Sequence, residues 1–347
     1  MSKLFSLFLI IGLCGCSSDD LDPKQTNNTL PSLPEVYDSS FRIENSSLLK
    51  DGSKVNYKGV NALQTFGLVD PEVMNAWNVE IVREFIGNLR EQPIEGEAIQ
   101  GSDEVWYHSL QAVVDRNRSH NRITILCPFG WVFPDGNQVL LTGLNPSEQD
   151  FYEAYKSKMK QIAEHFKDQP DVWIEVWNEP YHWENLNNYT HNLWLSDMKD
   201  MVDNLREVDG FQNIILVPGN EQGQSEEVIH EKGNELLEER YNLLFDVHAY
   251  KKWLVDTSKD QVKSRIQALN DKGFSIIFGE IGVQNVEVVM PFEHFLEAVK
   301  ETNTTTLAWL WSKTSSYNNS LMDDNGNPNS HENNNFWGST FKDFLSH

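Results

Sequence analysis

Three cysteines in 347 residues cannot build a disulfide framework, and two of them, Cys14 and Cys16, lie within the first sixteen positions. With Cys16 set aside for the role described below, Cys127 has no partner for an internal bridge, so the core must hold the fold. Cys127 closes the strand-like run Ile123–Cys127, where a buried, inert thiol fits better than a nucleophile. Cations are also short: 28 Lys and Arg face 52 Asp and Glu, a formal charge of −24. That field repels a polyanion and argues against nucleic acid as a partner. It serves solubility and is compatible with an uncharged ligand. The histidines are scattered without a zinc pattern. The apolar run Leu4–Leu13 is too short to span a bilayer.

Lys3 followed by that run reads as a targeting signal. The next residues, Leu13-Cys14-Gly15-Cys16, resemble the lipobox of bacterial lipoproteins. The resemblance implies that Cys16, preceded by the small Gly15, is lipidated. Residues 1–16 are then signal and lipidation site, although an ordinary cleaved signal peptide also fits. Residues 17–40, rich in Ser, Asp, Asn and Pro, read as a flexible tether. The acidic Ser17-Ser18-Asp19-Asp20 resembles a surface-export signal. The expected address is the outer membrane, on the cell surface, touched only through the anchor.

Residues 41–347 read as one domain. Asp51-Gly52 between short strand-like runs signals a hairpin, placed to plug the bottom of a larger fold. Eight strand-like runs follow: Lys58–Ala62, Val79–Ile86, Arg122–Cys127, Val172–Trp177, Asn213–Pro218, Leu243–His248, Phe274–Gly279 and Thr305–Trp311. Many are continuously apolar, as strands buried on both faces are. Helix-like segments lie between them. In 148–167, Phe151, Tyr155, Met159, Ile162 and Phe166 recur at spacings of three and four, with Ser147 as a plausible N-cap. Segments 194–209, 260–272, 291–302 and 335–346 behave similarly; 224–240 is polar and the weakest. Eight strand–helix units argue for an α/β fold of the (β/α)8 TIM-barrel type, whose active sites lie at the C-terminal ends of the strands.

Chemically suggestive residues fall at those ends. The run Trp173–Trp177 leads into Asn178-Glu179-Pro180, and Pro180 stops the ladder with Glu179 at the mouth. Glycoside cleavage needs such an acid, and Asn178 is suited to a sugar hydroxyl. A solvated glutamate at a strand end fits this segment alone about equally well. Ile276–Phe278 delivers Glu280 between two glycines. His248 and Tyr250, two apart, share a face of an extended strand and are placed to tune the two carboxyls, although either alone would more often be a core residue. Arg83 is placed to pair with a carboxylate; a barrel salt bridge is the plainer alternative. Trp311 is placed to floor a sugar subsite, and a core position suits Trp309 about equally. The chain has 11 Trp, 18 Phe and 10 Tyr, and flat rings pack well on apolar sugar faces.

Taken in order, Arg83, Asn178-Glu179-Pro180, His248-Ala249-Tyr250, Glu280 and Trp311 resemble glycoside hydrolase family 5, within the clan of retaining barrel glycosidases. The likeness implies Glu179 as acid/base and Glu280 as nucleophile of a double displacement, without metal or cofactor. The expected substrate is a β-1,4-linked polysaccharide or oligosaccharide of mannan or glucan type, cleaved internally by a monomer. An exo-acting or transglycosylating relative, or a glycan-binding surface lipoprotein without activity, are the competing readings. Family members usually carry a histidine at the end of the third strand. Here Cys127-Pro128-Phe129-Gly130-Trp131 has none, and Trp131 is expected to line the cleft instead. Trp183 on loop four and Trp253 beyond Tyr250 are further candidates for the sugar. Loop eight, Lys313–Asn335, is long enough to bind. Its Asp323, Asn325 and Asn327 only faintly resemble a calcium loop.

Overall fold

The computed structural model describes residues 39–286, 288–330 and 336–347. The lipidation and tether readings, residues 1–38, lie outside them. Eight parallel strands close a barrel: β1 (Lys58–Ala62), β2 (Ile81–Ile86), β3 (Ile123–Pro128), β4 (Val172–Glu175), β5 (Ile215–Pro218), β6 (Leu243–Ala249), β7 (Ile276–Ile281) and β8 (Thr305–Ala308). They follow chain order round the ring, and β8 meets β1. A helix follows each strand: α1 (Pro71–Asn75), α2 (Leu110–Arg118), α3 (Tyr152–Phe166), α4 (His191–Arg206), α5 (Glu227–Leu237), α6 (Lys259–Asn270), α7 (Glu293–Thr302) and α8 (Trp337–Leu345).

Each expected strand is present, with ends shifted by up to three residues. The polar segment 224–240 also forms its helix, because Val228, Ile229, Leu236 and Leu237 make one buried stripe. Ser147 does not cap α3. It lies in a separate 3₁₀ turn, Pro146–Glu148, and Phe151 occupies the N-cap without a side-chain bond. The predicted hairpin is a three-stranded meander, Phe41–Glu44, Ser47–Lys50 and Ser53–Lys54. Asp51 and Gly52 both have positive φ at its second turn, as a tight two-residue hairpin loop requires.

Alternation along the strands layers the barrel interior. Phe41 and Leu48 of the meander pack with Ile81, Ile123, Trp173, Leu244, Ile277 and Leu307, so the bottom is apolar and plugged. Two residues further along, the same faces carry Arg83, Glu175 and Asp246, all fully buried. Above these lie His248 and Glu280, at the mouth. The outward strand faces join the helices in a second, larger apolar cluster.

Candidate active site

Arg83 is the centre of the charged layer. Its Nε and Nη2 donate to the two oxygens of Glu175 at 2.6 and 2.8 Å, a bidentate pair across the barrel. Nη2 also donates to Asn178 Oδ1 at 2.9 Å, and Nη1 to Asn61 Oδ1 at 3.0 Å and to Glu280 Oε1 at 2.7 Å. Asn61 in turn donates to the carbonyls of Gly279 and Ala308, tying β1 to β7 and β8. One guanidinium thus orients Glu280, Asn178 and Glu175 together.

Glu280 sits where the ladder slips. Registers shift on both sides of β7, between Asp246 and His248 on β6 and between Phe278 and Ile281 against β8. Bulges re-aim side chains in this way. Gly279 is required there: a Cβ would collide with the Asp246 carboxylate, which accepts the Gly279 N–H at 2.7 Å. Tyr250 donates its hydroxyl to Glu280 Oε2 at 2.7 Å. Glu280 is 3 % exposed, and burial pushes its pKa up; His248, Arg83 and the Tyr250 hydrogen bond hold it back.

His248 bridges the two glutamates. Its Nδ1 lies 3.0 Å from Glu179 Oε1 and 3.7 Å from Glu280 Oε2, and its Nε2 lies 3.6 Å from Asp246 Oδ2. Burial alone would lower its pKa, but Glu280, Asp246 and Glu179 together hold it well above the ordinary histidine range. One oxygen each of Glu179 and Glu280 and a ring nitrogen of His248 lie within 4.8 Å of one another. Glu179 keeps a 17 % exposed side chain and faces solvent at the mouth.

The structure therefore brings Arg83, Asn178, Glu179, His248, Tyr250 and Glu280 into one cluster. It distributes the tryptophans differently from the sequence reading. Trp311 is 5 % exposed and packs edge-on against Trp77 in the core; Trp309 is half-buried at the mouth, its Nε1 donating to the Tyr317 hydroxyl at 2.8 Å. The backbone turns at this point of β8, and that turn, not strand alternation, selects which indole reaches the cleft. Trp131 is buried and stacked on Phe151, and Trp253 is buried between Phe278 and Phe295. Neither has an open face for sugar. Trp183 is half-buried on loop four, with Lys252 over its ring. At the end of β3, where the family's histidine would stand, Phe129 is half-buried.

Glu175, Asp246, Asn61 and Tyr317 were not singled out from the sequence. The first two carried a usable signal: a carboxylate inside an otherwise apolar strand must find a partner. Asn61 and Tyr317 carried none. Asp323 accepts from the backbone N–H groups of Asn325 and Asn327, so its carboxylate closes its own turn.

The chain is 26 % identical over 148 residues to a mannan endo-1,4-β-mannosidase of Cellvibrio japonicus (strain Ueda107); the match takes in 42 % of this chain and only 33 % of that protein. The β-mannanase of Streptomyces thermolilacinus superposes with a TM-score of 0.65 at 19 % identity, covering 87 % of this chain and 95 % of its own. The catalytic domain of a Thermobifida fusca endoglucanase does so with a TM-score of 0.63 at 14 % identity, covering 89 % and 97 %. At such identities the two structures speak for the fold alone. The family profile described as Cellulase (glycosyl hydrolase family 5) matches residues 65–315 and so spans both glutamates: the chain belongs to glycosyl hydrolase family 5.

Proposed function

We propose that the chain is a retaining, endo-acting β-1,4-glycanase, with Glu280 as nucleophile, Glu179 as acid/base and a mannan as the first substrate to try. The approach of the two carboxyl groups carries this reading. Oxygens within 4.8 Å leave no room for the water that an inverting enzyme holds between carboxyls about 6.5–9.5 Å apart. Glu280 attacks the anomeric carbon, its position set by Arg83 and Tyr250. Glu179, at the more open position, gives its proton to the departing glycosidic oxygen and then takes one from the water that releases the covalent glycosyl intermediate. His248, between them, moves with the charge of the pair. Asn178, oriented by Arg83, is placed for the sugar hydroxyl next to the reacting carbon.

Mannan is favoured over glucan by the mannan endo-1,4-β-mannosidase relative. The test is hydrolysis of purified mannans and β-glucans, with product size and anomeric configuration followed in time. A ladder of oligosaccharides with first-formed β-anomers, lost by a factor of about 10³ or more in Glu280→Gln, is the expected result. Single-unit release would make the enzyme exo-acting; α-anomers first would overturn the retaining assignment. The lipobox resemblance at Cys16 supports attachment at the cell surface, and incorporation of labelled palmitate, abolished in Cys16→Ser, tests it.

A further inference from the structure

Arg83 has no proton to give His248. A guanidinium offers five N–H donors. Nε gives its one to Glu175, Nη1 gives two to Asn61 and Glu280, and Nη2 gives two to Glu175 and Asn178. Nη2 stands 3.4 Å from His248 Nε2, yet its protons are taken. A bare Nε2 would therefore be a buried acceptor without a donor, which is unfavourable. Asp246 has the opposite deficit. Its Oδ1 accepts the Gly279 N–H at 2.7 Å, while its buried Oδ2 has no hydrogen-bond partner among the described residues and lies 3.6 Å from Nε2. A proton on Nε2, aimed at Oδ2, answers both.

The ring is held in that pose. It lies against Gly223, where a Cβ would come within 3.0 Å of its Cγ, and the His248 N–H donates to the Gly223 carbonyl at 2.8 Å. At that contact loop five brings no charge. The charged groups that face the ring are Asp246 on its own strand, Glu175 of β4, Glu179 beyond β4, Glu280 of β7 and Arg83 of β2, with the Tyr250 hydroxyl on the far side of Glu280. The other carboxylates are engaged elsewhere or change during turnover. Glu175 holds Arg83 with both oxygens. Glu280 loses its charge when its oxygen bonds to the anomeric carbon, and Glu179 loses and regains a proton in each cycle. Asp246 does neither. Burial would push its carboxyl up, but His248, Arg83 and the Gly279 N–H hold it below the usual carboxylate range.

We propose that Asp246 is a positioning residue for the acid/base: as the permanent counterion of His248, it keeps the imidazole doubly protonated through both half-reactions. The inference rests on the assignment of Glu179 and Glu280 above. Nδ1–H then donates to Glu179 Oε1, 3.0 Å away, whether that carboxyl is protonated or ionised. Oε2 is left to carry the proton that goes to the departing glycosidic oxygen and the one later taken from water. The same cation lies 3.7 Å from Glu280 Oε2 and favours the ionised nucleophile.

The test is Asp246→Asn, which keeps the size of the side chain and, through Oδ1, the bond from Gly279. The amide NH₂ then faces Nε2. A donor there requires a bare Nε2, so His248 becomes neutral with its proton on Nδ1. Without the cation, Glu179 and Glu280 both become weaker acids. Both limbs of kcat/KM against pH, measured on the β-1,4-linked pentasaccharides of mannose and of glucose, should move up by about one unit. Were His248 to stay charged, loss of the anion alone would move both limbs down, so limbs that fall or stay in place overturn the proposal. Limb positions do not depend on how much of the enzyme is folded. ¹⁵N NMR of labelled histidine, with the ring assigned through its contact with Gly223, reads the same protons without turnover. At about pH 7 both ring nitrogens should carry protons in the native protein, and only Nδ1 in Asp246→Asn. A single proton on the native ring overturns the proposal and needs no variant. The expected ring in a native protein that hydrolyses neither pentasaccharide refutes the assignment of the two glutamates and keeps Asp246 as the counterion. Unmoved limbs in an active enzyme refute the role of Asp246 and keep the glutamates.

Discussion

Arg83 carries its charge with no access to water, and Glu175 is what makes that tolerable. Burial pushes the Glu175 carboxyl up to about 7 against the pull of Arg83. Its folded pKa is raised, so its contribution to stability is full below the unfolded value near 4.5 and is lost as the pH rises through about 7. Glu175→Gln should flatten that part of the stability curve. It should also destabilise by about 1–3 kcal/mol above about pH 7, because Arg83 loses an ionised acceptor while keeping Glu280 as a charged partner. Urea unfolding between pH 4 and 8 measures both. Tyr250 acts on Glu280 in the opposite sense, its hydroxyl favouring the ionised carboxylate. In Tyr250→Phe the Glu280 pKa rises, so the acidic limb of kcat/KM against pH should move to higher pH, with a loss of about 10- to 100-fold below it. An unmoved limb would take Glu280 out of the nucleophile's role.

At the scale of the elements, the site depends on strand register more than on loops. Regular alternation from the inward-facing Ile277 would have turned Glu280 outward, with Ile276 and Phe278. The slip between Asp246 and His248 and the Gly279–Asp246 contact instead place it level with His248, whose register partner it is. Gly279→Ala puts a methyl group against the Asp246 carboxylate. The expected outcome is about 1–3 kcal/mol of destabilisation from overpacking, together with a fall in kcat larger than the change in KM, since the displaced group is Glu280. A drop in stability with native kcat would mean that the slip serves packing alone.

At the scale of the molecule, the meander at the bottom and the chemistry at the top are separate tasks joined by one barrel. Phe41 and Leu48 close the apolar bottom layer over Trp173, Ile81 and Leu244. Truncation before Val55 removes both. At about 1.5–3 kcal/mol for each side chain whose burial is lost, stability should fall by about 3–6 kcal/mol. Because the charged layer lies between that end and the mouth, KM should stay within about twofold. Chemical denaturation and initial rates on one substrate test the separation.

The barrel was legible because its signal is local and repeated. Runs such as Ile214–Val217 and Ile276–Phe278 can be stable only when covered on both faces, and helical stripes such as Tyr155, Met159 and Ile162 supply the cover. The two glutamates were legible for the same reason, since a charge that ends an apolar strand must emerge at the mouth. The sequence by itself therefore determined the class of fold and the end of the barrel at which Glu179, His248 and Glu280 gather. Tertiary structure alone decided which tryptophan faces the cleft, because the turn after β8 buries Trp311 and opens Trp309 against strand alternation. It alone joined Asn61, Arg83, Glu175 and Asp246, which come from four strands. It also set the approach of Glu179 to Glu280. These are distances between residues up to about two hundred positions apart, and no spacing along one chain encodes them.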